Sequence, residues 1–441
     1  MKIIAVVNQL YTNTYDTLYY EAKKNSDIEW TFVLIPFDYL TTHVSVENLE
    51  EMMNKKGYSY IVGYKDGEYL DLKQFKPDLV LIQTPYDSAY GSSLYQTPYL
   101  STFCAVASVS YGASMISFEG DYYRSWMDKT QNIKNLWKNF NETNVTRNII
   151  NECYSNHSIN TGYVKCDKYI NYKDNNDFKI KEKNDKFTVV WKPRWLGTVG
   201  ESSFLKYIYY FMYFCKKHPE IHFIFLLHQN LEGYLKHRKI MMPNEFQEIL
   251  SEFEHLPNTE IIMNEDFLDD VMNADLYIGD YSSTVVEFAL TAKPLIYTPC
   301  DVILNEIGEK IYESSYVCEN IEQIETTILN IYNGKDEKQS LRNQLREFLL
   351  IDTPKEQTYA QNLLKYILDH EEEIKNFPKL CKGQRKKMCV GIPRKMKIKL
   401  DLSLNAFLLL LSCFPISSAL IKRRKVMNKL NCYIKRYMND F

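Results

Sequence analysis

The sequence predicts an α/β protein: two doubly wound, Rossmann-like domains followed by a basic, partly apolar C-terminal helical extension. Three observations carry that prediction. Short apolar runs alternate with polar helical stretches over the first 170 residues, and the same alternation resumes after residue 186. Between them lies Asn171–Lys186, NYKDNNDFKIKEKNDK, a charged segment with almost no apolar content. A chain of 441 residues is also too long for one average core. The expected division is a first domain over 1–170, a linker over 171–186, a second domain over 187–380 and a tail over 381–441.

In the first half, strands are expected at Lys2–Val7, Glu29–Ile35, Leu79–Ile82 and Val106–Val109. Polar helices are expected between them at Thr17–Asn25 and Val46–Lys55, and a long helical pattern runs over Tyr122–Asn139. The second half reads as strand Phe187–Trp191, helix Ser203–Lys217, strand Ile221–Leu227, helix Asn244–Glu254, strand Ile261–Met263 and helix Phe267–Asn273. Leu276–Ile278 then forms a buried strand that ends at Gly279-Asp280. Tyr281-Ser282-Ser283-Thr284 opens a helix that runs to Leu290, Lys293-Pro294 stops it, and Leu295–Tyr297 starts the next strand. Helices over Asn320–Tyr332 and Glu337–Leu349 complete this half.

Composition excludes several classes. The ten cysteines include no CxxC pair and no zinc spacing, as expected for reduced thiols in the cytosol. Met1–Val7 is short and reads as a first strand, not as a secretory signal. No P-loop, no GxGxxG and no Asp-x-Asp beside a strand is present, so no metal and no cofactor is expected. The net charge of −3 conceals an asymmetry: residues 381–441 carry fifteen Lys/Arg against two Asp, so the body of the chain is acidic. An acidic body excludes nucleic acid as a partner.

The hydroxyl-rich turn after Gly279 is where chemistry is expected. At the carboxyl end of a parallel strand, backbone N–H groups and the positive end of a helix dipole converge, and an anion binds there. Ser282, Ser283, Thr284 and the N–H groups after them are the candidates to hold a diphosphate. A plain helix cap, worth about 1 kcal/mol, is the bland alternative. Glu287, one turn on, either accepts hydrogen bonds from ribose hydroxyls or is a solvated helix carboxylate. His228 follows an apolar strand and so falls at a cleft rim. Lys192 and Arg194 alternate with apolar neighbours at another strand end, either neutralising phosphate or facing solvent.

Two doubly wound halves joined by a linker outline a GT-B transferase, in which the donor nucleotide binds the C-terminal half and the acceptor faces the N-terminal half. Fold alone does not give the reaction. Five segments narrow it: Thr161-Gly162-Tyr163-Val164-Lys165-Cys166-Asp167, Val190-Trp191-Lys192-Pro193-Arg194-Trp195, Phe225-Leu226-Leu227-His228, Asp280-Tyr281-Ser282-Ser283 with Glu287, and Lys293-Pro294 with Asp301. In this order they resemble the CDP-glycerol glycerophosphotransferases of teichoic acid and capsular polysaccharide synthesis. The resemblance covers roughly residues 80–310.

That resemblance implies a reaction in which an acceptor hydroxyl attacks the β-phosphate of a CDP-alditol, takes alditol phosphate and releases CMP. It assigns Lys192, Arg194, Asp280, Ser282, Ser283, Thr284, Glu287 and Asp301 to the donor. It has Asp280 orient the serines or meet the alditol, and it has His228 touch the phosphates or assist proton transfer. Gln229 stands where the family has Pro. The N-terminal half departs further, because Ser110-Tyr111-Gly112 occupies the place of a His-Gly pair whose histidine would be the base. A tyrosine with a pKa of about 10 is a poor base near neutrality. Gln83-Thr84-Pro85-Tyr86-Asp87 resembles a segment of capsule-cluster relatives, which leaves Tyr111, Asp87 or a relocated histidine for that role.

In the tail, Leu402–Ile421 is apolar but broken by Asn405, Ser412, Pro415, Ser417 and Ser418, with Lys/Arg clusters on both flanks. Basic flanks on both sides fit an interfacial helix or shallow hairpin on anionic cytoplasmic lipid better than a span. The sequence thus predicts a peripheral bacterial membrane enzyme that moves glycerol phosphate, or another alditol phosphate, from a CDP-linked donor to a lipid-linked teichoic acid or capsule intermediate. A nucleotide-sugar glycosyltransferase on the same fold and an inactive membrane-bound polymer-binding protein are the alternatives.

Overall fold

The computed structural model describes residues 1–10, 13–39, 42–83, 86–110, 112–117, 132–153, 157–171, 177–178, 186–195, 202–228, 230–263, 267–351 and 357–378. The chain divides into two compact units, Met1–Cys381 and Lys382–Phe441, and every described residue belongs to the first. The basic tail and most of the linker therefore lie outside the described residues.

Two parallel sheets organise the first unit. The N-terminal sheet holds β1 (Lys2–Val7), β2 (Glu29–Leu34), β3 (Tyr60–Val62), β4 (Leu79–Ile82), β5 (Ala105–Val109), β6 (Lys138–Asn141) and β7 (Ser158–Asn160). Their spatial order is β7-β6-β5-β4-β1-β2-β3. The second sheet holds β8 (Thr188–Lys192), β9 (His222–Leu226), β10 (Thr259–Ile262), β11 (Leu276–Gly279), β12 (Leu295–Tyr297) and β13 (Tyr316–Val317), in the order β10-β9-β8-β11-β12-β13. Strands covered on both faces read as continuous apolar runs, and β4 and β5 are buried at every position. Alternation still sorts side chains: Ile3, Ala5 and Val7 of β1 enter one core, Ile4 and Val6 the other.

The crossover helices cover the sheets: α1 (Asn13–Ala22), α2 (Val46–Lys56) and α3 (Asn144–Cys153) in the first half. The second half has α4 (Phe204–Lys217), α5 (Asn230–His237), α6 (Pro243–Glu254), α7 (Leu268–Asn273), α8 (Ser283–Ala289), α9 (Glu306–Ser314), α10 (Ile321–Tyr332) and α11 (Gln339–Leu349). Trp191 on β8 stacks on Phe225 of β9, with centroids 4.7 Å apart, and centres the aromatic core of the second half.

The long helix expected over Tyr122–Asn139 is corrected by the structure. Residues 122–131 lie outside the described part, Asn132–Asn135 form one helical turn, and Lys138–Asn141 is strand β6. KNFN has one apolar side chain and no period of its own; pairing with β5 on one side and β7 on the other makes it a strand. The helix α12 (Tyr359–Asp369) packs on the first half, although the sequence division put it with the second. Asp167 explains the return: it accepts the backbone N–H groups of Tyr359 and Ala360 at 3.0 and 2.8 Å and so caps α12. Gly162 allows that contact. Its φ is +78°, and a Cβ there would stand 2.5 Å from the Tyr359 ring.

Candidate functional site

In each sheet the strand order reverses direction at one point. In the second sheet that point lies between β8 and β11, which pair with Lys192 opposite Gly279. Parallel α/β sheets bind ligands at this crevice, at the strands' carboxyl ends. Lys192, Arg194, Asp280, Ser282 and Ser283 all follow from β8 or β11 and so gather there, and His228 follows β9 one strand away.

Asp280 is fully buried. It accepts the Arg194 N–H at 3.0 and 3.1 Å, the Ser203 N–H at 2.9 Å and the Ser203 hydroxyl at 3.0 Å. It therefore ties the loop after β8 to the start of α4. Its hydrogen bonds thus go to Arg194 and Ser203 rather than to Ser282 or Ser283. Burial pushes its carboxyl above the usual range, opposed by those three donors and the Arg194 charge.

Glu287 is not a solvated helix carboxylate: it is buried and forms an ion pair with Lys165. Burial raises its pKa and Lys165 opposes the rise. Ser282 caps α8, accepting the Val285 N–H at 3.4 Å, and Thr284 is buried at the start of that helix. Ser283 stays half-buried at the helix start. Lys293 donates to the carbonyls of Met272 and Ala274 at 3.0 and 2.8 Å, closing the end of α7. Asp301 is exposed on the loop after β12.

The basic side chains form one electrostatic group. Lys192 is buried, and desolvation lowers its ammonium to about 8 against the pull of Asp280 and Glu287. The Arg194 guanidinium lies 4.3 Å over the Tyr281 ring and donates to the Tyr281 carbonyl at 3.3 Å, while its Nε is buried without a partner among the described residues. Desolvation, together with the Lys192 and Arg194 cations, holds the partly exposed His228 well below the usual histidine range. His228 is thus neutral at pH 7. Its Nδ1 accepts the Asn230 N–H at 3.1 Å, which leaves the proton on Nε2 as a donor.

The two halves meet beside this group. Ser117 donates to the Ile303 carbonyl at 2.7 Å, Asn305 donates to the Met115 carbonyl at 3.1 Å, and Ile116 bridges Leu304. At Gly112 the approach is closest, because a Cβ there would lie 2.5 Å from Ser283 Cβ and 3.1 Å from Glu287 Oε1. Glycine is needed here for lack of room. Tyr111 lies outside the described residues. Asp87 is buried and accepts the Thr97 N–H and hydroxyl at 2.9 and 2.7 Å, capping the turn Thr97–Leu100. Each of its oxygens thus accepts one hydrogen bond from Thr97.

Two charged residues of the seam were absent from the sequence-derived site. Lys165 lies within the motif Thr161–Asp167 and could have been found there. Glu142, directly after β6, carries no motif signal; its carboxylate is buried with neither oxygen in a complete hydrogen bond among the described residues. Among the described residues no group of three or more His, Cys, Asp or Glu is placed to hold a metal ion. Nor is any described helix long and apolar enough to cross a membrane.

No family model and no curated protein matches the chain. Solved structures do. A putative UDP-N-acetylglucosamine 2-epimerase from Listeria monocytogenes matches with a TM-score of 0.54 at 12% identity, over 86% of this chain and 98% of that one. The UDP-GlcNAc 2-epimerase from Neisseria meningitidis, bound to UDP-GlcNAc, matches at 0.51 and 14%, over 83% and 99%. The wall teichoic acid polymerase TagF matches at 0.53 and 10%, over 85% and 89%. At these identities the likeness establishes the fold: the described chain is a GT-B protein of two Rossmann-like halves.

Proposed function

We propose that the chain is a transferase that binds a nucleotide diphosphate-linked donor at the switch point of its second sheet. The observation that carries this reading is the convergence of Lys192, Arg194 and His228 on the carboxyl ends of β8 and β9, beside Ser283. A diphosphate needs charge neutralisation and N–H or O–H donors, and these side chains supply both. In the finer reading the donor is CDP-glycerol or a related CDP-alditol. The acceptor hydroxyl attacks the β-phosphorus, alditol phosphate moves to the acceptor, and CMP leaves. Lys192 and Arg194 offset the charge of the diphosphate, and His228 Nε2–H donates to an oxygen of the transferring or leaving phosphate. Phosphoryl transfer asks mainly for such positioning and charge stabilisation.

Two supports favour CDP-alditol transfer: the ordered motifs from Thr161 to Asp301, and the shared fold of TagF, of which one variant was soaked with CDPG. The same fold in an epimerase bound to UDP-GlcNAc favours a second reading, a transferase using a nucleotide sugar. Incubating the protein with CDP-glycerol, CDP-ribitol, UDP-glucose and UDP-GlcNAc, with a lipid-linked acceptor, separates the two by mass spectrometry of the released nucleotide. CMP from a CDP-alditol is the expected result. UDP from a sugar donor would establish the second reading, and no release from any donor would contradict both.

The acceptor in this reading is a lipid-linked teichoic acid or capsule intermediate, reached from the cytoplasmic membrane surface through the basic tail. A protein lacking residues 382–441 should lose its binding to vesicles rich in anionic lipid while the full chain sediments with them. Equal sedimentation of the two would remove the tail from the account.

A further inference from the structure

At the seam between the halves, two buried carboxylates lie with a half-buried lysine: Glu142 after β6, Glu287 on α8, and Lys165 on the turn Val164–Tyr169. Two carboxylates share one ammonium, and Lys165 is committed to Glu287. Glu142 is 3% exposed, yet neither of its oxygens has a hydrogen bond of normal geometry among the described residues. A buried carboxylate left so costs free energy unless something absent from the ligand-free protein completes it. A second orphan lies within its electrostatic reach. The Tyr163 hydroxyl is fully buried and also without a partner among the described residues. One of these groups accepts a proton and the other can donate one. A hydroxyl, which is donor and acceptor at once, is the complement of the pair.

From this pairing we infer that Glu142 is the group that receives the acceptor substrate's hydroxyl and takes its proton during transfer. The inference rests on the transferase reading above and fills the role that neither Tyr111 nor Asp87 has been shown to serve. The acceptor O–H bond breaks, its proton passes to a Glu142 carboxylate oxygen, and the oxygen's electron pair forms the new P–O bond. The P–O bond to CMP breaks with its electrons leaving on CMP. Glu142 then returns its proton to solvent. Because the seam covers the carboxylate in this form, the acceptor reaches it only when the two halves part.

The surroundings suit a base. Burial raises the Glu142 pKa, and Glu287 adds to the rise. Lys165, the Ser110 hydroxyl and the residue's own backbone N–H oppose it. Tyr163 and Cys166 also face it, both held neutral by burial. A carboxylate brought toward neutrality is a stronger proton acceptor than one in water.

The test compares wild type with Glu142→Gln and Glu142→Asp for CMP release, CDP binding and melting temperature. Glutamine is expected to lower kcat by ~10²–10⁴-fold. CDP affinity should stay unchanged, and the melting temperature should rise because a buried unpaired charge has gone. The wild-type rate should climb with pH through an ionisation above the ordinary glutamate range, and that limb should vanish in Glu142→Gln. Aspartate, which shortens the reach but keeps the carboxylate, should retain the limb at a reduced rate. A Glu142→Gln protein with wild-type kcat overturns the inference. So does one whose rate and melting temperature fall together while the pH limb persists, because that is a structural residue. A wild type that binds and turns over no donor overturns the reading of the site itself, a result distinguishable from either.

Discussion

Lys192→Met is expected to weaken CDP binding at least tenfold while raising the melting temperature of the ligand-free protein. The two effects share one cause. Lys192 ends β8, is 6% exposed, and has its ammonium lowered to about 8 by desolvation. Against the ordinary value of 10.5, keeping that charge costs the free protein about 3 kcal/mol at neutral pH. Methionine fills a similar volume without the charge, so the cost disappears. A bound diphosphate would offset the same cost by pairing with the ammonium, which is why affinity falls when the ammonium is removed.

The pH dependence has a definite sign. Between about 8 and 10.5 the unfolded chain holds the Lys192 proton and the folded chain does not. Stability of the free wild type therefore rises with pH across that window. Affinity for CDP runs the other way and drops above about 8 as the ammonium is lost. Calorimetry and thermal melts at pH 7 and 9 measure both, and in Lys192→Met the contribution of this group to both slopes should be gone. Unchanged CDP binding in the variant would take the lysine out of the donor site.

Lys165→Met should produce the largest loss of stability. The lysine is the one ammonium paired with Glu287, and Glu142 is within its field. Its removal leaves two buried carboxylates facing each other, and breaking a buried pair in this way costs about 3–5 kcal/mol. The double variant Lys165→Met/Glu287→Gln should recover most of that loss, because no carboxylate is then left without its cation at this pair. Both carboxyls already have raised pKa values, and loss of the cation raises them further. The folded variant then binds protons that the unfolded chain has released, so its deficit should be small in acid and grow as pH rises. Wild-type melting in the single variant would mean that the seam carries no such charge cluster.

The strands of the two sheets were the most legible part of the sequence. Lys2–Val7, Leu79–Ile82 and Leu295–Tyr297 stand where their apolar runs placed them, because a strand buried on both faces announces itself locally. Lys138–Asn141 was not legible: its conformation is decided by neighbours on either side that no local pattern reveals. Tyr60–Val62 and Ser158–Asn160 were missed at sheet edges for the same reason. In the site, motif order pointed to loops that the fold brings to one crevice, but it did not reveal which protein groups the carboxylates pair with. Asp280 serves backbone N–H groups and Glu287 serves Lys165, and both partners come from distant parts of the chain. Glu142 could not be found beforehand, since what sets it apart is a buried carboxylate with no hydrogen bond of normal geometry among the described residues.

The most direct test of the account is to follow the wild-type protein with CDP-glycerol and a lipid-linked acceptor by ³¹P NMR. Transfer of glycerol phosphate predicts that the diphosphate resonances decay as CMP and a new acceptor-bound phosphodiester appear in equal amounts. Intact CDP-glycerol beside an acceptor that is glycosylated from a nucleotide sugar, with no phosphodiester formed, would contradict it.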